Sequence, residues 1–239
     1  MAQNNGNTKC YNYGEYLGAR YKNFHNIIWI MGNDFQSWED PTDIELMRNI
    51  MAGIKITDQN HLQTAQLSFE LSGSLDAEPL RPYIDLSAAY TYTPTYHEVL
   101  MQYDLGTDIG KVVPVFLIEE HYEEECVGGL DPRYWPDPGI ACCECGTPNV
   151  LRRQAYWTVL AGGLAGQIYG NHYIWPMTAS WSSHMDTTGI RELGYWKNLF
   201  TSRKWYNLIP EHEDSTGSGL VISGHGTYVG GIDSGPLSA

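Results

Sequence analysis

Short apolar runs alternate with helical patterns along most of this chain, and that alternation constrains its fold more than any other feature. The runs are Ile27 to Met31, His61 to Phe69, Tyr83 to Ala88, Val112 to Ile118 and Gly166 to Tyr169. Continuous apolar stretches of this kind suit parallel strands covered by helices. The helix signals between them are clear. Asp40-Pro41-Thr42-Asp43 reads as an N-cap, a proline at the first helical position and an acid in the first turn. Ile44, Met47, Ile50 and Met51 then share one face, and Gly53 is expected to end the helix. Thr93-Pro94 starts a second helix carrying Val99, Leu100 and Tyr103. Thr147-Pro148 starts a third, with Leu151, Ala155 and Val159 on one side and Gly162-Gly163 as its stop. Two more helices are expected at about Tyr13 to Lys22 and Thr188 to Phe200. No helix is evident between the second and third strands. From Glu211 onward the chain turns rich in Gly and Ser, with one strand-like run at Gly219 to Ser223.

Composition narrows the partners. Hydrophobic residues make up 42% of the 239, enough to bury a core and too many for a disordered chain. The apolar runs fall far short of the roughly 18 residues a membrane span needs. The opening residues do not read as an export signal. Acids outnumber bases 28 to 14, so the charge of −14 opposes nucleic acid and anionic membranes. The 17 Tyr and 8 Trp stand against 5 Phe. Rings with a polar handle suit a surface that stacks on sugars, and an aromatic-rich core is the alternative.

In a parallel barrel the active site lies where the strands end. Gly32-Asn33-Asp34 follows the first apolar run, and Glu119-Glu120-His121-Tyr122-Glu123 follows the fourth. Two carboxylates at strand ends are what glycoside hydrolysis needs, one to protonate the leaving oxygen and one to attack or to activate water. Taken singly, Asp34 reads as a loop cap and the glutamates as a solvated acidic patch. Together they point to a site. Tyr169-Gly170-Asn171-His172-Tyr173-Ile174-Trp175 supplies a polar and aromatic rim, and Trp38, Tyr90 and Tyr92 are candidates of the same kind. Cys10, Cys126, Cys142, Cys143 and Cys145 do not form a disulfide framework by count. Cys142-Cys143-Glu144-Cys145 with Cys126 lacks the usual zinc spacing, so a thiol cluster or one disulfide is expected and no metal. No G-x-S-x-G elbow, P-loop or H-E-x-x-H motif occurs.

Tyr16-Leu17-Gly18-Ala19-Arg20-Tyr21-Lys22 followed by Asn26 through Asp34 resembles the apiosidase-like glycoside hydrolases, a family with a TIM-barrel catalytic domain. Pro114 to Glu119 with Tyr122-Glu123, Leu151 to Trp157, and Gly162 to Trp175 are similar to further segments of that family. The resemblance covers about residues 12 to 230. It implies that Ile27–Met31 is barrel strand four and Val112–Ile118 strand seven, with Asp34 as acid/base and Glu119 as nucleophile. Asp34 would then need a raised pKa, which burial would supply, and Glu119 would need Asn, Tyr or Arg donors. Glu120, adjacent on the strand, would point to the opposite face. Asn33, Trp38, Tyr90, Tyr122, Glu123, Asn171, His172 and Trp175 would bind or support the substrate.

The resulting expectation is an α/β fold, a partial (β/α)8 TIM barrel of about strands four to eight over residues 1–210, with a C-terminal β segment beginning over 211–239. The expected activity is hydrolysis of a glycosidic bond in plant cell-wall or related polysaccharide, with retention and without a cofactor. The expected partner is an oligo- or polysaccharide, with neither nucleic acid nor membrane. A non-catalytic binding module and an inactive fragment are the alternatives. The family resemblance implies export, and oligomeric state is left open.

Overall fold

The computed structural model describes residues 5–35, 41–68, 73–92, 94–126 and 145–208. Its elements are α1 (Gly6–Tyr21), β1 (Trp29–Phe35), α2 (Pro41–Thr57), β2 (Gln63–Leu67), β3 (Ser87–Tyr90), α3 (Thr95–Asp108), β4 (Val115–Glu119), α4 (Pro148–Leu160) and α5 (Thr188–Thr201). The chain divides into two compact units. The first comprises residues 1–90 and 101–118, the second residues 91–100 and 119–239.

In the first unit β1 and β2 pair in parallel, Trp29 with Gln63 through Gly32 with Gln66. The register then shifts between Gly32 and Phe35. Met47 and Met51 of α2 pack with Ala65, Leu67, Leu75, Leu80 and Ile84 in the core. Gly53 does not stop α2, which runs on to Thr57. A Cβ on Gly53 would collide with the Tyr11 carbonyl of α1, and one on Gly14 with the Ile50 carbonyl. These glycines therefore let two helices approach closely, a tertiary demand that local helix-stop signals do not encode. The early helix also starts at Gly6, ahead of its expected position.

The link between the second and third strands forms two 3-10 helices, Ser74–Asp76 and Glu78–Tyr83. They displace the third strand from Tyr83–Ala88 to Ser87–Tyr90. Ser74 lies between β2 and β3. Its hydroxyl donates to the Ala65 carbonyl at 2.7 Å and accepts the Ala88 N–H at 2.8 Å. Serine thus takes the place of ladder bonds, and β1–β2 and β3–β4 form separate two-stranded sheets. On β3 and β4 the bond from Ser87 N–H to Pro114 O and that from Thr91 N–H to Glu119 O advance together, as parallel strands require.

The second unit is organised by α4 and α5, joined by Leu151, Ala155 and Leu193 with Tyr169 and Trp196 against them. Thr147 caps α4 by accepting the Val150 N–H. The expected strand at Gly166–Tyr169 is absent. Ile168 is exposed there, Gly166 takes a positive φ of 110°, and the run carries an isolated bridge at Gln167 in place of a ladder, with a parallel bridge from Asn171 to Glu123 just beyond it. A four-residue run flanked by glycines has too few ladder bonds to hold a strand. Among the described residues no helix is long and apolar enough to cross a membrane.

Candidate functional site

In the first unit the candidate residues lie where β1 ends. Gly32, Asn33 and Asp34 all have positive φ, of 96°, 129° and 51°. Glycine adopts such angles freely, while Asn and Asp do so at a cost that clusters at working sites. The three residues turn the strand out of register, and Asn33 and Asp34 are both exposed. The burial expected around Asp34 is therefore not found within this unit. Tyr90 is also redirected. It is buried in the core and presents no ring face for a sugar. Trp38 lies outside the described residues.

In the second unit the stretch from the end of β4 to Glu125 carries five glutamates, and three of them, Glu119, Glu120 and Glu123, meet different fates. Glu119 is half-buried, and the Tyr92 hydroxyl donates to its Oε1 at 3.3 Å. That is one of the expected donors, and it comes from a residue read in the sequence only as a rim aromatic. Glu120 is 2% exposed, and neither of its oxygens has a hydrogen-bond partner among the described residues. Burial, and secondarily the neighbouring Glu119 charge, pushes its carboxyl well above the ordinary range. Strand alternation accounts for the contrast, as adjacent residues face opposite ways.

Glu123 is also 2% exposed but fully engaged. Its carboxylate accepts from the Tyr169 hydroxyl at 2.7 Å, from the Thr187 hydroxyl, and from the Gly189 N–H at 2.8 Å at the start of α5. The helix N-terminus favours an anion there. A Cβ on Gly189 would collide with this carboxylate, and a Cβ on Gly170 with the Tyr122 ring. Burial, reinforced by the donation to Glu123, pushes the Tyr169 hydroxyl up to about 12, so it remains a donor. Glu123 and Asn171, expected to bind or support the substrate, are both buried with their polar atoms turned inward and occupied.

The exposed residues nearby are different. Glu124, at φ 66°, accepts from His184 Nδ1 at 2.7 Å and from Asn171 Nδ2 at 2.9 Å. Burial raises its carboxyl slightly, and these bonds more than offset that, leaving it below its ordinary value. Tyr173 stacks on His184 with centroids 4.1 Å apart, and Trp175 is largely exposed. His172 is half-buried with its Nδ1 3.9 Å from Glu125, and Tyr122 is likewise half-buried. His184 and Glu124 carried no local sequence signal, since 60 residues separate them.

Cys126 and Cys145 form a disulfide, the alternative to a metal cluster, while Cys142 and Cys143 lie outside the described residues. Among the described residues no group of three or more His, Cys, Asp or Glu is placed to hold a metal ion.

The family described as "Apiosidase-like, catalytic domain" matches residues 2–207. No curated protein matches the chain. Two solved structures share its fold. One is titled "Glycoside hydrolase", with a TM-score of 0.66 and 21% identity over 84% of this chain and 48% of its own. The other is a glycoside hydrolase family 5 protein from Bacteroides vulgatus, with a TM-score of 0.63 and 22% identity over 84% of this chain and 47% of its own. The chain thus spans about half the length of these neighbours.

Proposed function

The chain belongs to the apiosidase-like catalytic-domain family, and from that premise we propose that it supplies the two carboxylates of a glycoside hydrolase. Glu119 is the nucleophile and Asp34 the acid/base. The observation that carries this reading is the contrast along the chain after β4. Among Glu119, Glu120 and Glu123, Glu119 alone combines partial exposure with a hydroxyl donor that favours its ionised form. Asp34 sits on a backbone turned out at the end of β1, where an exposed acid can reach solvent and substrate. Asn33, Tyr122, His172 and Trp175 would contact the sugar. The reaction would break the glycosidic bond while Asp34 protonates the leaving oxygen. Glu119 would bond the anomeric carbon, and water would then release the sugar with retention.

We read the described residues as the part of a (β/α)8 barrel that corresponds to strands four to eight, with the last strand reduced to isolated bridges, and the β segment expected over 211–239 lies outside the described residues. The substrate would be an oligo- or polysaccharide of plant-wall type, with apiose the sugar that the family name suggests. No cofactor enters the chemistry. The test is hydrolysis of a panel of aryl glycosides that includes an apioside. Glu119→Gln is expected to lose on the order of 10³-fold or more in kcat. Asp34→Asn is expected to lose more on poor leaving groups than on activated aryl ones, because only the former need the proton. Undiminished turnover in Glu119→Gln would remove the nucleophile assignment. Saturable sugar binding without turnover would make the chain a binding module instead.

A further inference from the structure

Tyr92 donates to Glu119 from the irregular backbone that follows β3. The ring of His121 packs against it, meeting that of Tyr92 edge-on at 79° and 5.5 Å between centroids. His121 is buried, and it too lies in irregular backbone just past β4. Its orientation is set from α4. Gln154 Nε2 lies 2.7 Å from His121 Nδ1, so the amide donates, the ring nitrogen accepts, and the imidazole is neutral with its proton on Nε2.

Gln154 is buried on α4, and its backbone is tied to α3: the Gln154 backbone carbonyl accepts from Thr95 at 3.0 Å and from Thr158 at 2.8 Å, and the Thr158 hydroxyl also donates to that of Thr95 at 2.9 Å. A chain of positions therefore runs from two helices through Gln154 and His121 to the ring whose hydroxyl reaches Glu119. All of these groups belong to the second unit.

We propose that His121 is a positioning residue for the Glu119 carboxylate: anchored by Gln154, its neutral ring fixes Tyr92 in the orientation that donates to Glu119. The functional meaning of this rests on Glu119 being the nucleophile. The positional claim can be tested without it. A hydrogen bond to the ionised form lowers a carboxyl pKa, so loosening Tyr92 raises the pH at which Glu119 titrates.

The experiment follows the side-chain carboxyl carbons of 13C-glutamate-labelled protein by NMR across pH, with Glu119 identified by its loss in Glu119→Gln. Tyr92→Phe is expected to raise the Glu119 midpoint by about half to one pH unit. His121→Asn keeps an amide near the Nδ1 position but removes the ring, and is expected to produce most of that rise. Gln154→Met keeps the shape of the helix residue and removes the donor, and is expected to produce a smaller rise in the same direction. A lower melting temperature with an unmoved Glu119 midpoint in both His121→Asn and Gln154→Met would overturn the proposal, as it would make His121 mere filling. An unmoved midpoint in Tyr92→Phe would overturn it too. Should His121→Asn not fold, Gln154→Met decides alone. Hydrolysis surviving in Glu119→Gln would instead remove the catalytic reading and leave the titration result standing.

Discussion

The start of the first strand pair and the end of β1 spend their polar groups in opposite ways. Before β2, Asp58 is buried and saturated. It accepts from Trp29 Nε1 at 2.9 Å, from the N–H groups of Asn60 and His61, and pairs with His61 Nδ1 at 2.6 Å. His61 Nε2 in turn meets the Phe24 carbonyl. Burial raises the Asp58 carboxyl, and these four donors more than offset it, leaving it below its ordinary value. The bond to Asp58 in turn raises the His61 imidazole above its ordinary range. Asp85 similarly accepts from Lys55 and from the Gln63 N–H. At the other end of β1, Asn33 and Asp34 are exposed on a backbone that favours glycine. One end spends polar groups on stability, and the other holds them in a conformation that costs stability. That division is what a parallel α/β fold with its chemistry at the strand ends should show.

The largest expected effects fall on the saturated carboxylates. Asp58→Ala leaves the Trp29 and His61 donors buried without an acceptor and should cost about 3 kcal/mol. Glu123→Ala removes the acceptor for Tyr169, Thr187 and the α5 N-terminus and should cost a similar amount. A shift in the urea midpoint measures both. If either change proved neutral, the description of these groups as structural anchors would fail. The acid side of the Asp58 contribution has a definite sign. A depressed carboxyl stabilises above its unfolded value and loses that contribution as pH falls through the folded one, so Asp58→Asn should flatten the acid limb of stability.

The disulfide is of comparable size. Reducing Cys126–Cys145 opens a loop of 19 residues and should cost about 3 kcal/mol. The urea midpoint with and without reductant checks this. A marked drop would fit folding in an oxidising compartment.

Much of this division was legible in the sequence, and the exceptions share a cause. The helix starts at Asp40-Pro41 and Thr147-Pro148 and the placement of Asp34 and Glu119 at strand ends came from local signals, and α2, α4, β1 and β4 carry them. Gly53, Gly14 and Gly189 were opaque because each answers to a neighbour distant in sequence. Glu123 could be read only as a binding or supporting residue because a glutamate in an acidic run gives no sign of what it pairs with. Only the α5 N-terminus, over 60 residues on, shows why it is buried. Ser74 was opaque for the same reason, since a serine that replaces ladder bonds looks like any loop serine.

Glu120 and Asp76 give a smaller effect of opposite sign to that of Asp58. Burial lifts Asp76 to about 6, partly offset by bonds from the Gly73 N–H and Gln102, and burial lifts Glu120 further above its ordinary value of 4.5. A carboxyl raised on folding binds more protons in the native state, so stability falls as pH rises from the unfolded value through the folded one. Asp76→Asn should remove the part of that fall between 3.8 and about 6. Glu120→Gln should remove the part that Glu120 contributes above its ordinary value. Melting temperatures across pH 4 to about 9 check both, and an unchanged slope in Glu120→Gln would mean that its carboxyl finds a donor in solution.

The smallest effect is the sharpest test of the contrast between the two ends. Asp34→Gly removes the side chain from a residue at φ 51°, where glycine has no penalty. Nothing in the first unit buries the Asp34 side chain, so little is lost by deleting it. Stability should rise by up to about 1 kcal/mol, while hydrolysis, on the proposed assignment, falls as it does in Asp34→Asn. Gly32→Ala provides the reverse control. Its φ of 96° and the Gln66 carbonyl behind it leave no room for a Cβ, so the same end of the strand should lose stability. A gain in Asp34→Gly beside a loss in Gly32→Ala would show that the strain belongs to the acid's own backbone and is retained for what the acid does. A loss in both would mean that Asp34 is an anchor like Asp58, and the distinction between the two ends of the strand would go.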